Sequence, residues 1–141
     1  MEIQGRIFKT MTRILIDTDV IIDHLRGIDR ATQLFLQIKA KRYAGYYSAI
    51  TEVELLSGRN CNTLEQRRKI HRLLGIMRRV HLDRRIAEEA GKLRRTYQIT
   101  LPDAIIAASA IVKHAALVTR NVAHYDMIDG LNILDFAIWR F

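Results

Sequence analysis

The sequence predicts an α/β fold, a mostly parallel central sheet with helices on both faces in an α/β/α sandwich, and three observations predict it. Short runs rich in Ile, Leu and Val alternate with longer stretches of helical period along the chain. Those runs are almost continuously apolar, which is how strands buried on both faces read. Parallel strands also need crossovers, and the intervening helical stretches supply them while burying their apolar stripes on the sheet. At 141 residues the chain has room for one domain around one core.

Met11 heads a strand-like segment after a poorly patterned stretch. Residues 1 to 10 read as a loose extension or the product of an upstream start codon, so the expected division is an extension at 1–11 and a single domain at 12–141. Arg13 to Asp17 (R-I-L-I-D) is expected to be the first strand, reaching the carboxyl edge of the sheet at its acid. Val20, Ile21 and Leu25 then share a helical face that Gly27 stops, and Ala31, Leu34, Phe35 and Ile38 carry a second helix. Tyr46 to Ile50 reads as the next strand, with Thr51 opening a helix through Leu55 and Leu56 that ends near Gly58. A basic helix is expected between Leu64 and Leu74, and a short strand or extended link at Val80 to Leu82. Asp83 is placed to cap a helix running to Arg95. Pro102 suits a first turn, and Asp103 to Lys113 is so rich in Ala and Ile that it predicts a helix buried on most sides. Ala115 to Val118 and Leu131 to Leu134 are the remaining strands, with a loop at 119–123 and a tail holding Trp139.

Composition narrows the functional classes. With 49% hydrophobic and 27% charged residues the chain is neither disordered nor fibrous. The lone Cys61 can form no intramolecular disulfide and lacks zinc-ligand spacing, which suits a reducing interior. No apolar core of a secretory signal precedes residue 11, and the longest near-apolar run, Ala104 to Val112, is far short of the ~20 residues that cross a bilayer. A cytoplasmic protein without membrane contact is expected. The net charge is +8, and residues 59–95 carry twelve Lys or Arg against four acids. Such an excess concentrates polyanions and favours nucleic-acid phosphates as partner, although a solvated helical face would look the same.

Ligands of open α/β sheets bind outside the carboxyl ends of the strands, and the acids sit where that rule points. Asp17 and Asp19 follow the first strand, Glu54 lies four residues past the second, Asp103 starts the buried helix, and Asn121 follows the strand 115–118. Each has a plainer explanation: Asp17 or Asp19 as helix caps, Glu54 in a capping box with Thr51, Asp103 as a complement to the helix dipole, Asn121 as a turn residue. Convergence outweighs these, because two carboxylates ~4 Å apart repel by about 4 kcal/mol at an effective dielectric of about 20. Clustering therefore calls for a cation, and hard oxygen donors favour Mg²⁺ or Mn²⁺. Such an ion can bind a phosphate oxygen, generate a hydroxide nucleophile and stabilise the leaving oxygen of a phosphodiester.

The strings I-L-I-D-T-D-V-I-I-D-H-L-R-G at 14–27, S-A-I-T-E-V-E-L-L-S-G at 48–58, L-P-D-A-I-I-A-A-S-A at 101–110 and L-V-T-R-N-V-A-H-Y at 117–125 together resemble the PIN-domain family. More narrowly they look like the VapC toxins of prokaryotic toxin and antitoxin pairs. The resemblance spans residues 12 to about 135 and implies that 12–141 is a single PIN-like nuclease domain. It makes Asp17, Glu54 and Asp103 the metal-binding acids and gives Asp19 a supporting role through hydrogen bonds or an outer metal shell. Asn121 falls where many members carry a fourth acid, so that ligand is neutral here and a second metal site is in doubt; Thr119 and Asp126 are weaker neighbours. The family further implies metal-dependent endoribonuclease activity that leaves 5′-phosphates and 3′-hydroxyls, a homodimer, and a cognate antitoxin in an apolar groove, for which Leu25, Leu55 and Leu56 are candidates.

Two other functions remain open on the sequence. A metal-independent ribonuclease would draw an acid and base pair from His24, His71, His81, His114 and His124. A non-catalytic basic nucleic-acid-binding module would use its acids only as caps.

Overall fold

The computed structural model describes residues 2–3, 6–7 and 11–141. Within the expected extension, Glu2–Ile3 (β1) and Arg6–Ile7 (β2) pair antiparallel in a two-stranded sheet of their own. Residues 1, 4–5 and 8–10 lie outside the described residues.

The apolar runs assemble into one parallel sheet of five strands: Thr12–Ile16 (β3), Tyr43–Ser48 (β4), Arg78–Val80 (β5), Ala116–Thr119 (β6) and Ile133–Asp135 (β7). The spatial order is β5, β4, β3, β6, β7, so the chain builds outward from β3 to one side and then returns to β3's other edge with β6. The helices are Thr18–Leu25 (α1), Asp29–Lys39 (α2), Ala49–Leu56 (α3), Leu64–Leu74 (α4), Arg84–Thr96 (α5) and Leu101–Val112 (α6).

Alternation along the strands splits the core into two layers. Ile14, Ile16, Tyr47 and Val118 face one side, where they meet Val20, Ile21, Leu34, Phe35, Ile38, Leu55, Ile70 and Leu74 of α1 to α4. Leu15, Tyr46 and Leu117 face the other, against Ile86, Ala90 and Leu93 of α5 and the alanine-rich α6. From Ala104 to Ala110 every residue of α6 is buried, as its composition predicts. At Gly45 a Cβ would stand 2.8 Å from Cγ2 of Ile38, so the missing side chain is what lets α2 pack onto β4.

Expected elements appear in the expected order, with shifts at their ends. The second strand spans 43–48 instead of 46–50, and the following helix starts at Ala49 instead of Thr51. The reason is capping: Ser48 accepts the Ile50 amide at 3.2 Å and ends the strand two residues earlier. The strand or link expected at 80–82 is a strand at 78–80, and the last strand begins at Ile133. Asp83 caps α5, accepting from Ile86, and Gly27 follows α1 at φ +79, the left-handed conformation that stops a helix. Among the described residues, no helix is long and apolar enough to cross a membrane.

Candidate active site

Strand order reverses between β3 and β6, and a crevice outside their carboxyl ends is the expected ligand site of such a sheet. Asp17 leaves β3 there. Its amide donates to the Val118 carbonyl of β6 at 2.9 Å, and its side chain caps α1, with Oδ1 accepting from the Thr18 amide at 2.8 Å. Capping is thus real but uses one oxygen. Oδ2 accepts from Thr119 Oγ1 at 2.7 Å and from the Tyr125 hydroxyl at 3.2 Å.

Tyr125 joins two of the expected acids. Its hydroxyl stands 3.0 Å from Asp103 Oδ1 as well, so one proton is shared between two carboxylates. Burial, with Asp17 and Asp103 beside it, pushes the phenol far above its usual range and keeps it a donor. Asp103 sits in the first turn of α6, where Thr100 is the cap, and its Oδ2 lies 3.2 Å from Nδ1 of His124.

Glu54 enters from α3. Thr18 Oγ1 donates to Glu54 Oε1 at 2.8 Å and is 2.9 Å from Thr51 Oγ1, which ties the glutamate to the residue beside Asp17. Thr51 lies buried within α3, so the capping-box explanation of Glu54 fails: the cap is Ser48. The first glutamate of the T-E-V-E string, Glu52, pairs instead with Arg79 at 3.2 Å and accepts from Tyr47. Two residues apart on a helix point about 200° apart, which is why only one of the pair reaches the rim.

Asp19 and Asn121 are linked to each other. Asp19 Oδ2 accepts from Asn121 Nδ2 at 2.9 Å and from the Arg120 amide at 3.2 Å, and Thr119 Oγ1 orients the loop by accepting the Asn121 amide. Asn121 therefore supports Asp19. Asp126 is exposed and joins none of these hydrogen bonds. Sequence reasoning missed Tyr125, Arg120 and Thr18; the available signal for Tyr125 is that it is the one Phe, Trp or Tyr between Arg120 and Asn132.

Burial raises the Asp17 carboxyl above its usual range, with hydrogen bonds from Thr119, Thr18 and Tyr125 working against it and Asp103 adding to it. Asp19 is pushed up to about 6 by burial and the Asp17 charge. A carboxyl raised on folding binds its proton more tightly in the folded chain, so stability falls as pH rises from the ordinary aspartate range through about 6. With chelator present, Asp19→Asn is expected to gain melting temperature on the wild type as pH rises through that window. A difference that stays constant from pH ~4 to ~7 would contradict it.

Among the described residues, no three His, Cys, Asp or Glu side chains stand close enough to hold a metal ion as they are placed. Hydroxyls lie between the acids instead, Tyr125 between Asp17 and Asp103 and Thr18 beside Glu54. The donor set nevertheless suits a hard cation. All its atoms are oxygens, and Asp19 Oδ1 is buried with no hydrogen-bond partner, a costly state for a carboxylate that a cation relieves.

The histidines lie on separate elements: His24 on α1 bonded to Thr32, His71 on α4, His81 before α5, His114 after α6. Among the described residues only His124 pairs with a carboxylate. The basic segment is divided too, because α4 packs on one face of the sheet and α5 on the other. Of its cations, Lys69 lines a cavity of about 240 Å³ together with Arg26, Glu54, Leu25 and Leu55. Leu56 is not part of that lining; it packs against the core.

The family model described as PIN domain matches residues 14–129. The chain is 35% identical over 123 residues to ribonuclease VapC10 of Mycobacterium tuberculosis, covering 84% of this chain and 90% of that one. It is 32% identical over 122 residues to ribonuclease VapC19 of the same organism, covering 83% and 95%. Among solved structures it resembles a toxin-antitoxin complex from Klebsiella pneumoniae, with TM-score 0.71, 28% identity and coverage of 86% and 95%. DNA-bound VapBC from Salmonella typhimurium superposes with TM-score 0.76 over 89% of this chain and 99% of that chain, at 20% identity.

Proposed function

Since this chain belongs to the PIN-domain family, we propose that it is a metal-dependent endoribonuclease, the toxin of a toxin-antitoxin pair, acting in the cytoplasm through the single domain 12–141. The observation that carries this reading is the linked set of acids at the switch point: Asp17 and Asp103 through Tyr125, and Glu54 through Thr18. Asp17, Glu54 and Asp103 would hold a Mg²⁺ or Mn²⁺ ion, which supplies Lewis-acid polarisation of a phosphate oxygen and an acidified water when bound.

The chain's own residues prepare the site. Thr119 and the Thr18 amide orient the Asp17 carboxylate, and Tyr125 keeps its proton and spaces Asp17 from Asp103. Asn121 and the Arg120 amide hold Asp19 in place. Lys69 and Arg26, beside Glu54, put positive charge where a phosphate backbone would approach the acids.

The same groove suits an antitoxin. Leu25, Leu55, Ile22 and Ile70 give it an apolar floor, and it continues past Leu25 and Lys69 toward Phe35, Leu36 and Leu73. The Klebsiella and Salmonella relatives are solved as toxin-antitoxin complexes, which supports this partner. A homodimer is supported by Val53 and Leu101, large apolar side chains exposed on α3 and α6, two helices in mutual contact.

The test is incubation of the chain with a labelled structured RNA, with Mg²⁺ or Mn²⁺ and separately with EDTA, followed by analysis of the fragment ends. Cuts bearing 5′-phosphates that require the metal are expected. Cleavage that persists in EDTA would overturn the metal mechanism, and RNA binding without cleavage under any metal would favour a binding module.

A further inference from the structure

Resting on the metal-site reading above, we propose that Arg120 is a tethered cation filling the outer half of the acidic cluster, so that each chain binds one divalent ion and not two. The acids divide by the charge of their partners. The inner ones meet mainly neutral donors: Asp17 the Thr18 amide and the hydroxyls of Thr119 and Tyr125, Glu54 the hydroxyl of Thr18, Asp103 the Tyr125 hydroxyl and a ring nitrogen of His124. The outer ones meet a permanent cation. Asp19 and Asp23 are four residues apart on α1 and so share a face, and the Arg120 Nε stands 2.9 Å from Asp23 Oδ2 and 3.9 Å from Asp19 Oδ2.

Both outer carboxylates are shielded from water, with side-chain exposures of 14% and 12%, which strengthens their attraction to the guanidinium. Asp19 Oδ2 also takes hydrogen bonds from the Arg120 amide and from the Asn121 amide group. A second divalent ion bound through Asp19 Oδ2 and Asp23 Oδ2 would have to displace these contacts. Arg stays charged throughout the physiological range, so it cannot yield by losing its proton. Held by the backbone next to its partners, it also competes as an intramolecular group at an effective concentration on the order of millimolar. Asn121, being neutral, adds no charge to recruit a second ion and spends its amide on Asp19. What remains open on Asp19 is Oδ1, buried and unpaired.

The experiment counts Mn²⁺ bound per chain, by electron paramagnetic resonance of the free ion and by calorimetry, on the full chain and on Asp17→Asn, Arg120→Gln and the double variant Arg120→Gln, Asn121→Asp. Circular dichroism establishes that each is folded, and the Arg120 side chain is 45% exposed, so its loss opens no core. The expected result is one ion in the wild type, its affinity lost in Asp17→Asn, and a second, weaker ion appearing in Arg120→Gln and tightening in the double variant. Two ions in the wild type would overturn the role of Arg120 while leaving the metal site standing, as would a single ion in every variant that retains Asp17. Absence of binding in the wild type, or binding indifferent to Asp17→Asn, would overturn the metal-site reading and this inference with it.

Discussion

Asp17→Asn is expected to lower RNA cleavage by about 10³-fold, and Asp103→Asn by a similar factor, without unfolding the chain. A Lewis-acid ion is worth several kcal/mol to the transition state, and about 4 kcal/mol corresponds to about a thousandfold in rate. Asn has the shape of Asp and still offers an oxygen to Thr18, Thr119 or Tyr125, so the loss should fall on the charge that holds the ion and not on the fold. Glu54→Gln should follow the same pattern. Glu52→Gln is the internal contrast, because Glu52 is turned to Arg79 and its loss breaks only a half-exposed ion pair, worth about 0–1 kcal/mol. Single-turnover cleavage of one labelled RNA by all four variants reads this directly. An Asp17→Asn chain within about tenfold of the wild type would sink the assignment of Asp17 as a metal ligand.

Leu117→Ala should destabilise the chain by about 3 kcal/mol and lower its melting temperature by roughly 10 °C, while cleavage measured well below that temperature is retained. Leu117 is fully buried, lies in β6 opposite Leu15 of β3, and faces the layer packed with α5 and α6. The layer it faces includes Ala104, Ala107, Ala108 and Ala110 of α6, short side chains that cannot swing in to fill a cavity there. Thr119, two residues on, is anchored by parallel pairing to β7 and by its bond to Asp17, so the site should survive. Thermal unfolding checks the loss; a shift below about 3 °C would mean that the layer relaxes around the deletion.

Much of this was legible in one sequence because it is carried by short-range signals. Apolar runs and 3.6-residue periods depend on neighbours within a few residues, and they placed the strands and helices in order. Their ends were less legible. Ser48 and Thr51 are both fair caps, and only the register of β4 with β3, running from Tyr43 to Tyr46, decides where the strand stops and which of them caps α3. The same ambiguity obscured Glu54, whose spacing from Thr51 imitates a capping box.

By itself the sequence determined the α/β class, the buried character of the helix 101–112, and the carboxyl-edge position of Asp17, Glu54 and Asp103, because strand order along the chain and local period dictate all three. Tertiary structure alone decided the rest. It chose Glu54 over Glu52, set Tyr125 between Asp17 and Asp103, brought Arg120 onto Asp19 and Asp23, and parted the basic residues of α4 from those of α5 across the sheet. The physical reason is common to these: each depends on the side chains of segments up to about a hundred residues apart meeting at the reversal between β3 and β6 or on opposite faces of one sheet, and no local pattern encodes the direction in which such side chains meet.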